Sequence, residues 1–212
     1  MSPIQAILSV IIVIFTMILI FVGWRLASRV WSLPCPSLVA WALESPFYVK
    51  ITGTQKTLKR IGLKPGQRVL EVGPGPGRLL IPAAQRVLPG GEVVGIDIQP
   101  GMIERLKERA KAANITNLTA IRGDATLPIV PERSFDLVFL VTTLGEIPDR
   151  HAALVQCFRA LKSEGILSIT EMLPDPHYQS RATVKRLVEA AGFRSHSVEG
   201  DMWLFTANFV KP

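Results

Sequence analysis

Three glycines at every second position, Gly73, Gly75 and Gly77, close a short apolar run, Val69–Val72. An acidic residue, Asp97, follows 24 residues after the first of them. A loop without side-chain bulk lets a ligand approach the main chain closely. The start of the helical pattern behind it offers N–H groups that have no intrahelical partner. A carboxylate about 20 residues beyond such a loop is placed to accept hydrogen bonds from ribose hydroxyls. Together these residues point to a nucleoside ligand without a 2′-phosphate. A glycine loop alone is often only a turn, so its value here comes from the spaced carboxylate. The dinucleotide fingerprint of dehydrogenases sets its third glycine three residues after the second. Arg78 occupies that place here, and Gly77 comes one residue too early.

These residues need a scaffold. Val69–Val72 reads as a buried strand, and Glu92–Ile98 as the next, delivering Asp97 at its carboxyl end. Leu118–Arg122 ends in Gly123-Asp124-Ala125; Phe135–Val141 and Gly165–Glu171 are further strands. Helical patterns lie between them over Gly77–Leu88, Gly101–Ala113 and Arg150–Leu161. Pro82 falls inside the first pattern and should kink that helix or shift its start. Alternating strands and helices with short connections imply a parallel sheet covered on both faces. Asp136 reads as a strand-start residue and not as a catalyst. One helix, Ser180–Ala191, then Gly192-Phe193-Arg194 and a final strand, Met202–Val210, complete the pattern.

Glu71-Val72-Gly73-Pro74-Gly75-Pro76-Gly77, then Asp97, then Gly123-Asp124, resembles the class I (Rossmann-like) S-adenosylmethionine-dependent methyltransferases, from about Ile51 to Pro212. The resemblance implies a seven-stranded, mostly parallel α/β sheet with an antiparallel strand at its C-terminal end. It implies S-adenosylmethionine as cofactor, with Gly73, Gly75 and Gly77 lining the methionine part and Glu71 orienting its amino group. Asp97 would bind the ribose hydroxyls and Asp124 the adenine amino group. Ile98 and Ala125 would flank the adenine ring.

The sulfonium of that cofactor is already activated, so the protein must hold a nucleophile in line with the methyl group and exclude water. A general base is needed only for a nucleophile that arrives protonated. Ligands of open α/β sheets sit outside the carboxyl ends of the strands. After the fourth strand this selects Glu146, and after the fifth Glu171, His177 and Tyr178, as candidate catalytic, substrate-facing residues. His177 has a plainer reading, as a loop histidine capping the helix that follows. Thr142–Ile147 lacks the Asn/Asp-Pro-Pro-aromatic motif of enzymes that methylate nucleobase amines. Only a loop and one helix separate the fifth strand from the last hairpin, which leaves no inserted domain for a protein or RNA substrate. No metal site is expected: Cys35 and Cys157 show no ligand spacing.

The N-terminus carries a second signal. Ala6–Gly23 holds 18 residues without a charge. As a helix it would span ~27 Å, close to the ~30 Å hydrocarbon core of a bilayer. Trp24 and Trp31 lie where an interfacial aromatic belt would, and Arg25 and Arg29 follow on one side only. A cleaved signal peptide wants a basic start and a shorter apolar core. The expectation is one N-terminal transmembrane helix in residues 1–24, an interfacial or lid segment in 25–50, and a methyltransferase domain in 51–212 on the cytoplasmic side. Residues Trp31–Tyr48 fit a lid or a packed linker equally. Through Arg68, eight basic residues face one acid, Glu44, and carry the whole formal net charge of +7. That excess suits an anionic membrane surface better than nucleic acid. The expected acceptor is a lipid headgroup amine or another hydrophobic small molecule, with quinone and alkyl-thiol acceptors as alternatives, and a non-catalytic cofactor-binding membrane protein as the contrasting class.

Overall fold

The computed structural model describes residues 2–31, 53–173 and 175–212. Seven strands form one sheet: β1 (Arg68–Val72), β2 (Glu92–Asp97), β3 (Leu118–Arg122), β4 (Phe135–Val141), β5 (Leu161–Met172), β6 (Arg194–Gly200) and β7 (Leu204–Val210). Their order is β3-β2-β1-β4-β5-β7-β6. Only β7 runs against its neighbours, β5 and β6. The expected mostly parallel sheet with an antiparallel strand near its C-terminal end is therefore present.

Six helices accompany it among the described residues: α1 (Pro3–Trp31), α2 (Thr54–Ile61), α3 (Leu80–Arg86), α4 (Pro100–Ala112), α5 (Arg150–Ala160) and α6 (Arg181–Ala190). Side chains alternate across each strand. Val69, Val93, Leu137 and Phe139 pack with Leu58 of α2, Leu80 and Ala84 of α3 and Leu106 of α4. Leu70, Val94, Val138 and Leu140 pack with Leu154 and Cys157 of α5 and Val184 and Val188 of α6. Two cores, one per face, explain why β2 and β4 read as unbroken apolar runs. Burial pushes the Cys157 thiol up to about 12, so it is an inert core group.

Several boundaries differ from those read in the sequence. α3 starts at Leu80 and not at Gly77, so Pro82 stands third in the helix. Its missing N–H would have had no intrahelical partner there; Pro82 shifts the start as expected. α2 was not among the expected helices. Glycines in left-handed conformation close both its ends, Gly53 and Gly62, and Thr54, Thr57, Leu58 and Ile61 form its buried face. β5 begins four residues before Gly165, with a register shift opposite Phe135 and Leu137 and Glu164 at φ 60°. β7 begins at Leu204, because Asp201 Oδ1 accepts the N–H groups of Trp203 and Leu204 and turns the chain first. Asp136 is structural: it accepts the Arg68 N–H at 2.8 Å and the Lys162 ammonium at 2.5 Å.

The N-terminal apolar run does form a helix, 29 residues long. Its Ile, Leu, Val, Phe and Met side chains are exposed, from Ile4 through Ile20. The transmembrane assignment itself is not supported: among the described residues, no helix is long and apolar enough to cross a membrane. The lid segment, from residue 32 on, and Cys35 lie outside the described residues.

Candidate active site

The sheet order reverses between β1 and β4, and loops at the carboxyl ends of those strands leave a crevice there. The glycine loop fills one side. Gly73, Gly75 and Gly77 all have positive φ, at 70°, 53° and 85°. A Cβ on Gly73 would run into Thr143 Cγ2, and one on Gly77 into Leu106 Cδ1. These two glycines let the loop nest against β4 and α4. Gly75 is different: a Cβ there would meet only Met102 Sδ, at 4.0 Å. It borders open space.

Asp97 ties the loop to β2. Its Oδ2 accepts the Gly75 N–H at 3.1 Å and its Oδ1 the Gln99 N–H at 2.9 Å. Burial pushes its carboxyl up, against the pull of these two bonds. Ile98, next in the chain, leaves its side chain 55% exposed. On the same side, after β3, Asp124 Oδ1 accepts the N–H and hydroxyl of Thr126. Ala125 packs at the edge of the core. An apolar side chain between two fixed carboxylates suits a flat ring with polar edges.

Glu71 is the most informative buried group. It is 2% exposed, and its Oε2 has no hydrogen-bond partner among the described residues. Desolvation holds its carboxyl well above the usual carboxylate range, with Arg78 lowering it and Asp97 raising it further. An unpartnered buried carboxylate oxygen beneath a glycine loop is a place for a donor, such as an ammonium. On this observation the residues fit the amino-acid end of S-adenosylmethionine, and Asp97 fits its ribose.

The second cluster lies after β4 and β5. A short 3-10 turn, Leu144–Glu146, follows β4. A Cβ on Gly145 would strike the carbonyl of His177, so the two loops touch main chain to main chain. Glu171 is 1% exposed. Its Oε2 accepts the Gln179 N–H at 3.2 Å, and its Oε1 has no partner among the described residues. Burial raises its carboxyl well above the ordinary range; Asp175 and Glu146 add to the rise and Arg150 opposes it. Glu146, Glu171 and His177 are thus brought together. His177 is buried, and its N–H bonds to Asp175 Oδ1 at 2.7 Å. It does not cap α6, because Ser180 does so by accepting the Thr183 N–H. Tyr178 serves as a wall: its ring packs edge-to-face on Phe205, with centroids 6.2 Å apart.

Three residues at this site were not singled out in the sequence. Arg150 donates to the carbonyls of Leu144 at 3.2 Å and Gly145 at 3.0 Å, fixing the turn that carries Glu146. Gln179 holds Glu171 through its N–H and the His177 carbonyl through its side chain. Thr143 locks against Gly73. Their only sequence signal was position just after a strand's carboxyl end. Among the described residues, no group of three or more His, Cys, Asp or Glu side chains could hold a metal ion.

A family described as a methyltransferase domain matches residues 63–202, which take in both clusters. The chain belongs to this family. Relatives of this methyltransferase domain include aklanonic acid methyltransferase DauC of Streptomyces sp. (strain C5), 40% identical over 105 residues, covering 50% of this chain and 48% of that protein. Nocamycin O-methyltransferase of Saccharothrix syringae is 34% identical over 122 residues, covering 58% of this chain and 44% of that protein. Demethylmenaquinone methyltransferase of Geobacillus sp. (strain WCH70) is 30% identical over 111 residues, covering 52% and 47%. The chain therefore spans about half the length of these curated relatives. A crystal structure of an S-adenosylmethionine-dependent methyltransferase from Aquifex aeolicus shares the fold. Its TM-score is 0.79 at 23% identity, covering 84% of this chain and all of that one.

Proposed function

We propose that the protein transfers a methyl group from S-adenosylmethionine to a hydrophobic small molecule, a ring hydroxyl or acidic ring carbon of quinone-like character, presented at a membrane. The observation that carries this reading is Glu171. Its buried carboxyl, with one oxygen unpartnered among the described residues, lies at the end of β5, on the other side of the β1–β4 crevice from Glu71. S-adenosylmethionine supplies an electrophilic methyl group when bound. Glu71 takes its ammonium, Asp97 its ribose, and Ile98 and Ala125 the faces of its adenine. The loop contact between Gly145 and His177 helps keep water from the acceptor. Glu171, once ionised, accepts the proton of an acidic hydroxyl or carbon. The names of two relatives, nocamycin O-methyltransferase and demethylmenaquinone methyltransferase, agree with such an acceptor.

A second reading keeps a lipid headgroup amine as acceptor. It rests on Glu146 and Asp175 beside Glu171, an acidic wall that favours a cation. Both readings keep the uncharged N-terminal run as a proposed membrane anchor. Ala6–Gly23 carries no charge and would reach ~27 Å as a helix. The arginines that follow it favour the cytoplasmic side for the domain. Native membranes incubated with the protein and methyl-labelled S-adenosylmethionine test this. Label in an apolar, phosphorus-free lipid extract supports the first reading, and label in aminophospholipid the second. Label confined to the aqueous phase contradicts both.

A further inference from the structure

The turn between β6 and β7 lifts two large apolar side chains into solvent: Met202 is 65% exposed and Trp203 59%. The tip is not a loose loop. Asp201 Oδ1 accepts the N–H groups of Trp203, at 2.8 Å, and Leu204, at 3.0 Å. Gly200 has φ 107°, and a Cβ there would strike the Leu204 carbonyl, so the turn is tight by construction. Its outer carbonyls are held by arginines. Arg60 Nη1 donates to Leu204 O at 3.2 Å, and Arg181 Nη2 to Gly200 O at 2.9 Å and Asp201 O at 2.8 Å. Lys56 lies close enough to act on Asp201 through space, and Lys59, one turn on in α2, is also exposed. Asp201 keeps its charge, because its two backbone N–H bonds hold the carboxyl below the ordinary range, and Glu199 is exposed nearby on β6; Lys56, Lys59, Arg60 and Arg181 outnumber these two acids. What faces outward is a tryptophan and a methionine among lysines and arginines.

The tip also has a defined place relative to the site. Leu204 pairs with Met172, and the Leu173 N–H donates to Trp203 O at 2.8 Å. It therefore stands at the carboxyl end of β5, one residue beyond Glu171, on the edge of the sheet where the acceptor loops emerge.

We infer that Met202, Trp203 and the basic side chains of α2 and α6 form a membrane-docking surface, which seats the acceptor side of the crevice on an anionic bilayer. This rests on the membrane reading above and adds a second contact, independent of α1. Tryptophan prefers the headgroup level, where one part of its ring is apolar and the other wet. Lysines and arginines near an anionic surface are attracted to it within a screening length. A rigid apolar tip ringed by cations combines both preferences, as interfacial binding elements do. A docked tip would let an apolar acceptor pass from lipid to the crevice along β5 and β7 without entering water.

The test uses the full chain with Trp24, Trp31 and Trp41 changed to Phe, so that Trp203 is the sole fluorophore. The protein is reconstituted into neutral phosphatidylcholine vesicles, or into vesicles that also hold phosphatidylglycerol, with lipids brominated at shallow acyl positions. The expected result is a blue shift and quenching of Trp203 in the anionic vesicles, reduced by ~1 M salt, where the screening length falls to ~3 Å. Lys56→Glu with Lys59→Glu should reduce it likewise. Should the tryptophan replacements impair folding, Met202→Cys in a Cys35→Ser background, carrying a polarity-sensitive dye, gives the same readout. Unquenched Trp203 in both vesicle types overturns the inference. So does salt-insensitive self-association that Trp203→Ser abolishes, which would assign the tip to a second copy of the chain. Cofactor binding measured on the same samples separates the two levels: its loss would strike the methyltransferase reading, and unquenched Trp203 with intact binding only the docking surface.

Discussion

Replacing Glu71 by Gln removes one negative charge and almost no volume from beneath the glycine loop. In the free protein the carboxyl is buried, one oxygen lacks a partner among the described residues, and desolvation keeps it protonated well above its ordinary value of 4.5. An incoming ammonium reverses that balance: it donates to the orphan oxygen and favours the ionised form. Binding should then release a proton wherever free Glu71 is still protonated, with release fading as pH rises through its raised pKa. A hydrogen bond to a charged group contributes ~1.5–3 kcal/mol, so Glu71→Gln should weaken S-adenosylmethionine by about tenfold to a hundredfold. Adenosine, without the amino-acid end, should bind both proteins alike. Calorimetric titration in buffers of different ionisation enthalpy reads affinity and proton count together. The same shift gives stability a sign. The neutral form suits the fold, so its contribution is full below about pH 4.5 and is lost as pH rises through the folded value. Glu71→Gln should flatten that decline. Equal weakening of adenosine and S-adenosylmethionine, or no proton release at any pH, would refute this role for Glu71.

Asp97→Ala removes the acceptor of both the Gly75 and Gln99 N–H groups; unlike the Glu71 variant, it should weaken adenosine and S-adenosylmethionine together, by ~1.5–3 kcal/mol or more, in the same titration. Gly145→Ala sets a methyl group against the His177 carbonyl, and overpacking of this kind costs ~1–3 kcal/mol; a lowered thermal midpoint with acceptor turnover lost more than cofactor affinity is the expected outcome. Glu171 is neutral at low pH because burial raises its carboxyl, so turnover should climb with pH through that raised value, and Glu171→Gln should erase the climb in a pH–rate profile while leaving cofactor affinity in place.

Much of the fold was legible because its signals were local. Apolar runs of strand length, glycines, and Asp97 and Asp124 at strand ends located five strands and the loops at their carboxyl ends. α2 was missed because eight mostly polar residues, Thr54–Ile61, bury only four side chains. The last strand was read two residues too long, from Met202, since the turn bond of Asp201 has no period of its own. The acceptor side was legible only in part. Glu146, Glu171 and His177 came from position after a strand, whereas Arg150 and Gln179 act through backbone bonds between loops that a sequence does not announce. Tyr178, read as substrate-facing, also packs its ring edge-to-face on Phe205. The N-terminal run was read as a helix, and it forms one, 29 residues long.

Methyl transfer itself is the most direct test of the account. Full-length protein and its Gly75→Val variant would be given labelled S-adenosylmethionine and a native membrane extract. Gly75 borders open space and holds φ 53°, so a valine there strains the loop and fills the cofactor's place. The account predicts labelled lipid-phase product with the wild type and none with the variant. Equal product from both, or none from a wild type that binds the cofactor, would contradict it.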